Sequence, residues 1–347
     1  MRLLLITQIL DTRDPALGFV HEWVREFAKN VDSLTIIALK VGEYQLPANV
    51  RVVSLGKERG VRRIRSLSTL IREVVFKFGT YDAVFVHMNP EYLVLFGWWW
   101  RLLRKHTMLW YTHKSVDLKL RIATLFANTI ASASPESFRL QTKKLHVVGH
   151  GIQLEQIQFR NHQPSAPYKL ISIGRVTPSK QCEVLIRALN PLRRAGHEIK
   201  LTFVGTGITS EDTEYLKWLQ NEAVEEGVDG IVYFTGGLPH SAVSNALRDA
   251  DCFVSASMTG GLDKAVLEAM AAGVPIVTSN SGLHSTLKNH SELLFQNGNV
   301  EDCVEKIIRV ISLTNEEREV LCRELRAIVE EHHSLSKLIP NLINLLQ

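Results

Sequence analysis

The sequence predicts an α/β protein built of two doubly wound units that face each other across a cleft. Three observations carry this. Short apolar runs alternate with longer helical patterns along the whole chain. A break without apolar periodicity, NHQPSAPY at 161–168, separates seven of those runs from five. The charge is also divided: the first 165 residues hold 23 Lys+Arg against 13 Asp+Glu, the remainder 17 against 23, within a net charge of +4. Strands alternating with helices and buried on both faces form parallel sheets. The 347 residues suffice for two cores, at roughly 150 residues per domain.

In order, the strands of the first unit fall at 3–6, 33–39, 50–54, 83–87, 107–111, 129–133 and 145–148. Much of the basic run 57–72 fits a helix with Val61, Ile64, Leu67 and Ile71 on one side and cations on the other. The run 92–103, with Trp98, Trp99 and Trp100, is closed by Arg101, Arg104 and Lys105. It falls short of the ~20 apolar residues that span a bilayer, and reads as a core helix or as a shallow membrane-surface or acceptor-binding element. Ser134 has the type and position of an N-cap, with Pro135 in the first turn. The strands of the second unit fall at 169–173, 200–204, 231–235, 252–255 and 275–278. Leu335, Leu338, Ile339, Leu342 and Ile343 space a closing helix over 334–347, which Pro340 would kink or restart. The expected domains are 1–163, with 334–347 packing back on it, and 164–333.

Hydrophobic content of 45% and charged content of 22% suit a folded globular chain. Cys182, Cys252, Cys303 and Cys322 form no C-x-x-C pair, which signals neither zinc nor redox chemistry and suits a reducing cytoplasm. The run 1–6 is too short for a signal peptide and reads as a buried strand.

Ligands of open α/β sheets bind beyond the C-terminal strand ends, and the motifs fall there. After 169–173 comes Gly174-Arg175-Val176-Thr177-Pro178-Ser179-Lys180, then a helical pattern with Val184, Leu185, Ala188 and Leu189 on one face. Gly174 lets backbone approach a ligand. Arg175 and Lys180 put two cations beside a helix N-terminus, a combination that suits a diphosphate. The following strands end in Gly205-Thr206-Gly207 and Gly236-Gly237. The segment DCFVSASMTGGLDKAVLEAMAAGVPIVTS, from Asp251, gives a strand, the loop Thr259-Gly260-Gly261, and a helix over 263–272. Gly273 caps that helix. Glu268 is an isolated charge in this apolar helix, suited to a ribose diol, and the loop amides suit phosphate or sugar oxygens.

GR-x-x-P-x-K, FVGTG and LEAMAAGVPIV, in this order, resemble a GT-B glycosyltransferase of family 4 (glycosyltransferase group 1). The N-terminal stretches ITQ-x-x-D-x-x-DP-x-LGF, WYTHKS, SPESFR and VVGHGI resemble bacterial members with unassigned substrates. The resemblance implies two Rossmann-like domains and retaining transfer from a nucleotide diphospho-sugar of UDP or GDP type, without an essential metal. It implies that Arg175 and Lys180 are donor-phosphate cations, Glu268 the ribose ligand, Gly18 a loop glycine near the phosphates, and His113 a contact of the transferred sugar. One position departs: the first Glu of the family's E-x7-E motif falls on Gly260. The Gly260–Gly261 amides with Asp263 or Lys264 are expected to take over the sugar and phosphate contacts.

His87 and Asn89, in HMNPE after a strand, and His113 and Lys114, after the next, form an expected acceptor side. His150-Gly151, at the next strand end, would border the cleft or simply form a turn before the linker. His113 has no carboxylate partner in sequence, and no H-E-x-x-H or Cys/His set is present, so neither a triad nor metal catalysis is signalled. The site's power would be electrostatic. Lys57, Arg59, Arg62, Arg63, Arg65 and Arg72 suit either an anionic membrane surface or a solvated helix face. Nucleic acid is not indicated.

The sequence therefore predicts a cytoplasmic, or peripherally membrane-bound, hexosyltransferase-like enzyme of cell-envelope polysaccharide synthesis, acting on a glycan or lipid-linked acceptor. A nucleotide-sugar epimerase or hydrolase, and a catalytically silent nucleotide-sugar-binding protein, are the alternatives.

Overall fold

The computed structural model describes residues 1–14, 17–160, 163–164, 166–238, 240–258 and 260–347. The chain forms two compact units: Met1–Gly151 with Leu335–Gln347, and Ile152–Ser334. The division lies ahead of the break at 161–168. Residues 152–160 already bond into the second unit, Ile152 N–H to His333 O at 2.7 Å and Arg160 N–H to Ala272 O at 3.0 Å. Of the break, residues 161, 162 and 165 lie outside the described residues, and Tyr168 already starts a strand.

The described residues of the first unit form seven strands: β1 (Arg2–Leu10), β2 (Ser33–Val41), β3 (Val50–Ser54), β4 (Ala83–His87), β5 (His106–Trp110), β6 (Thr129–Ser132) and β7 (Leu145–Val147). They are parallel in the order β3-β2-β1-β4-β5-β6-β7. The central strands read as unbroken apolar runs because helices cover both faces.

Helix α1 (Val20–Lys29) covers one face, with Phe27 on Phe85 and Trp23 edge-on to Trp110. Helices α2 (Arg63–Ile71), α3 (Glu91–Leu102) and α4 (Leu118–Phe126) cover the other. There Leu70, Phe96, Trp100 and Leu120 share a core with Leu4, Val84 and Ile130.

Of the two readings of 92–103, α3 is a core helix on the side carrying Tyr92, Leu93, Phe96 and Trp100, while its other side is exposed. Gly97 lets α4 close in, since a Cβ there would lie 2.5 Å from Phe126. Helix α2 departs from the expected apolar side. Ile64 is 82% exposed and Leu67 also faces out, because Leu70 and Val74, the latter in a wider π-helical turn at Arg72–Phe76, supply the core contacts.

The second unit is the parallel sheet β10-β9-β8-β11-β12, from β8 (Tyr168–Ile173), β9 (Ile199–Val204), β10 (Val232–Phe234), β11 (Cys252–Ser255) and β12 (Ile276–Thr278). Its helices are α5 (Cys182–Arg194), α6 (Ser210–Glu225), α7 (His240–Arg248), α8 (Lys264–Ala272), α9 (Val300–Ile311) and α10 (Asn315–His332). The tail forms α11 (Leu335–Asn344), which packs on α1 and runs unbroken across Pro340. All four cysteines are free and buried. The strand order reverses between β1 and β4 in one sheet and between β8 and β11 in the other. Crevices at such reversals are where open α/β sheets take ligands.

Candidate functional site

In the second unit the predicted residues gather at the β8/β11 reversal. Gly174 leaves β8 with φ 141°, and its N–H bonds to Val204 O at 2.9 Å. The ends of β8 and β9 are pressed together: a Cβ on Gly205 would stand 1.8 Å from Gly174 O. Lys180 closes a 3₁₀ turn, Pro178–Lys180, and its chain passes over Gly174, with Nζ 3.9 Å from where a Cβ would sit. The Lys180 ammonium donates to the Asp263 carboxylate. Met258 N–H bonds to Ser179 O at 2.9 Å, tying the β11 loop to the same turn.

Two expectations change here. Lys180 is no bare cation; it is paired within the fold. Asp263 lies before the helix rather than in it: it is the N-cap of α8, accepting from Ala265 N–H at 3.2 Å. A carboxylate at an N-cap satisfies an end amide and meets the positive helix terminus.

Arg175 turns to the other side, 4.0 Å from Asp212, while remaining half-exposed. Asp212 is buried and holds the first turn of α6 in a capping box with Thr209. Hydrogen bonds, first from the Thr177 side chain and then from the Ile208 and Thr209 amides, hold its carboxyl well below the usual range despite burial. Gly207 makes room for this, since a Cβ there would lie 2.5 Å from that of Asp212. Asp212 was not singled out from the sequence, although T-x-x-D opening a helix is a legible capping signal.

Gly260 takes φ 63°, a conformation that disfavours a side chain. The Glu of the resembling family would therefore be strained here. Thr259 lies outside the described residues. Two residues that sequence reasoning missed hold the loop: buried Asn280 donates to Gly261 O at 2.9 Å, and Gly282 packs so tightly that a Cβ would lie 2.6 Å from Gly261. Gly236, at φ 73°, accepts the Gly205 N–H at 2.9 Å.

Glu268 is partly buried on α8, one turn beyond Lys264. Burial pushes the Lys264 ammonium down to about 8, against the raising effect of the Glu268 charge. Glu268 is thus not an isolated charge. Gly273, at φ 76°, ends the helix as expected.

In the first unit, β1, β4 and β5 are neighbours, so Gly18, His87, Asn89, His113 and Lys114 all follow the same sheet edge. Gly18 N–H bonds to Asp14 O at 2.9 Å just before α1. Of that loop, Pro15 lies outside the described residues. His87 is no open strand end. It is buried, with Nδ1 3.2 Å from Thr7 Oγ1 and its ring edge-on to Trp23 and Phe19. His150 joins the same aromatic box rather than a plain turn. Asn89, partly exposed, follows Met88 at φ 65° in a tight turn, Asn89 N–H to His87 O at 2.9 Å. His113 and Lys114 are exposed, and His113 Nδ1 accepts the Ser115 N–H at 3.1 Å. Ser134 caps a 3₁₀ turn at Pro135–Ser137. Among the described residues no group of three or more His, Cys, Asp or Glu side chains could hold a metal ion.

Residues 154–326 match the family model for glycosyl transferases group 1. The chain is 26% identical over 259 residues to sulfoquinovosyl transferase SQD2 of Arabidopsis thaliana, covering 70% of this chain and 47% of that protein. It is 24% identical over 298 residues to the putative colanic acid biosynthesis glycosyltransferase WcaL of Escherichia coli, covering 82% and 66%. The chain thus spans about half to two thirds of the length of these curated relatives. Among solved structures, Anabaena HepE in complex with UDP superposes with a TM-score of 0.80 at 17% identity, over 100% of this chain and 99% of that one. Sucrose-phosphate synthase from Thermosynechococcus elongatus gives 0.76 at 16%, over 99% and 98%. These likenesses show the fold, GT-B.

Proposed function

We propose that this chain, which belongs through residues 154–326 to glycosyl transferases group 1, moves a sugar from a nucleotide diphospho-sugar to a glycan or lipid-linked acceptor. The observation that carries the reading is the grouping of Gly174, Lys180, Asp263 and the Gly260–Gly261 loop at the β8/β11 reversal. A glycine-lined strand end, a cation and a helix N-terminus suit a departing diphosphate, since charge develops on it as the glycosidic bond breaks.

In this reading residues 164–333 hold the donor and 1–163 with 334–347 select the acceptor. Lys180 and Arg175 neutralise the diphosphate, Glu268 accepts from the ribose diol, and Gly18 lets backbone approach the phosphates. Gly205, Gly207 and Gly236 keep the strand ends low enough for a ligand. Lys264 is the further cation in reach of the α8 N-terminus, and Asp263 sets Lys180. His113 faces the transferred sugar, with Asn89 and Lys114 on the acceptor side and His87 supporting them from its aromatic box. Transfer proceeds with retention at the anomeric carbon and requires no metal.

The nucleotide is of UDP or GDP type, HepE being bound to UDP. The name of WcaL, a putative colanic acid biosynthesis glycosyltransferase, favours a cell-envelope polysaccharide product; in this reading it is made on the cytoplasmic side, with the basic run 57–72 toward an anionic membrane. A panel of UDP-, GDP-, ADP- and TDP-sugars read by thermal shift tests the donor, because a ligand of the folded state raises the melting point. No shift with any of them would refute it. Gly260 favours one second reading, a silent nucleotide-sugar binder, which shows a shift but no turnover with any donor. An epimerase or hydrolase would instead release epimer or free sugar without acceptor.

A further inference from the structure

We propose that the outer face of the α2–α3–α4 layer docks on an anionic lipid bilayer, and that α3 and α4, rather than the basic run alone, form its centre. Leu95, Trp98 and Leu102 on α3 and Leu118 and Leu125 on α4 are 50–71% exposed. The two helices lie side by side: Lys119 meets Glu91 at 2.9 Å near their starts, and Arg101 donates to Leu125 O at 2.9 Å near their ends. These five side chains therefore share one outward surface. Phe78 lies edge-on to Trp99 and Trp99 to Trp98, which carries the apolar surface toward the turn after α2, where Phe76 is also exposed.

Charge decides the occupant. Arg63 and Arg65 on α2, Arg101 and Arg104 at the end of α3, and Arg121 on α4 are all exposed on this layer. Of the nearby carboxylates, Glu91 is paired with Lys119, buried Glu73 with Arg51 at 2.6 Å and Lys77 at 2.9 Å, and exposed Asp117 caps α4 through the Leu120 N–H at 2.8 Å, so the five arginines outnumber the one carboxylate left without a cation. Exposed leucines with an indole and exposed arginines on the same layer match the bilayer interface, where apolar groups enter the acyl boundary and cations meet anionic headgroups. A second copy of this chain would bring the same cations and repel. No helix among the described residues is long and apolar enough to cross a membrane, so the contact is a surface one.

This deepens the lipid-linked-acceptor reading above. Its test reads lipid binding alone, so its failure and the failure of the donor site are separate results. The full chain is sedimented with vesicles of phosphatidylcholine, and with vesicles that also contain phosphatidylglycerol. Binding to the anionic vesicles only, weakened by salt, is expected. Trp98→Ser and Arg121→Glu should each weaken it about tenfold, with unchanged thermal melts showing that both variants fold. Absence of binding to anionic vesicles, or binding indifferent to both substitutions, overturns the proposal. A concentration-dependent dimer lost in Trp98→Ser assigns the surface to a second copy instead, and overturns it equally.

Discussion

The Lys180 ammonium is held by the Asp263 carboxylate, 83 residues away in sequence, directly above the open backbone of Gly174. The pair joins the turn after β8 to the N-terminus of α8, so one contact fixes both halves of the proposed phosphate site. Asp263 serves two partners, the cation and the Ala265 amide. Asn keeps the capping oxygen and Ala removes it. Asp263→Ala should cost about 1 kcal/mol of stability and Asp263→Asn only a few tenths from the cap, read by urea denaturation. Its effect on transfer separates the site role: unchanged kinetics in Asp263→Ala would remove Asp263 from the site.

The strand-end glycines are predicted to differ in kind. Gly205→Ala puts a Cβ 1.8 Å from Gly174 O at φ 144°, and neither backbone can yield without breaking the sheet end. A loss of ~3–4 kcal/mol is expected. At Gly236 nothing lies within 4 Å of the added Cβ, and only φ 73° is unfavourable, so ~1–2 kcal/mol is expected. Equal losses in denaturant melts would contradict the close approach of β8 and β9.

Asp212 predicts an acid limb. Hydrogen bonds from Thr177 and from the Ile208 and Thr209 amides hold its folded carboxyl well below the usual carboxylate range. The stabilisation is therefore fully present above the unfolded value and is lost as pH falls through the folded one. Asp212→Asn should flatten the stability profile below about pH 4, and it should free Arg175. A profile identical to that of the parent chain would show that the capping hydrogen bonds do not favour the charged form.

Lys264 predicts an alkaline limb for ligand rather than for acid. Burial holds its ammonium down at about 8. The unfolded chain keeps that proton to higher pH, so the fold gains stability as pH rises between the two values. A diphosphate needs the charged form. Nucleotide affinity should therefore fall as pH rises through about 8, and Lys264→Met should abolish that fall. An affinity flat across this range in the parent chain would place Lys264 away from the phosphates.

The strands were legible because each is a short apolar run bounded by turn residues, and β3, β4 and β11 lie where the runs 50–54, 83–87 and 252–255 place them. Gly273 was legible for a similar local reason: a helix end needs a residue at positive φ. What depended on long-range packing was not. Nothing near Lys180 announces Asp263, since β9, β10 and β11 intervene. His87 reads as an open strand end until α1 brings Trp23 and Phe19 over it. The exposure of Ile64 follows from the turn Arg72–Phe76, which lets Val74 take up the core contact. Asp212 was legible in its capping box yet silent about Arg175, because that contact spans α5 and β9.

Calorimetric titration of UDP and GDP into the parent chain and into Lys180→Ala tests the central claim most directly. Saturable binding of one nucleotide to the parent, weakened at least about tenfold in the variant by the loss of one charge-assisted contact, is the result expected. Equal affinity in both chains, or no binding of either nucleotide to the parent, would contradict it.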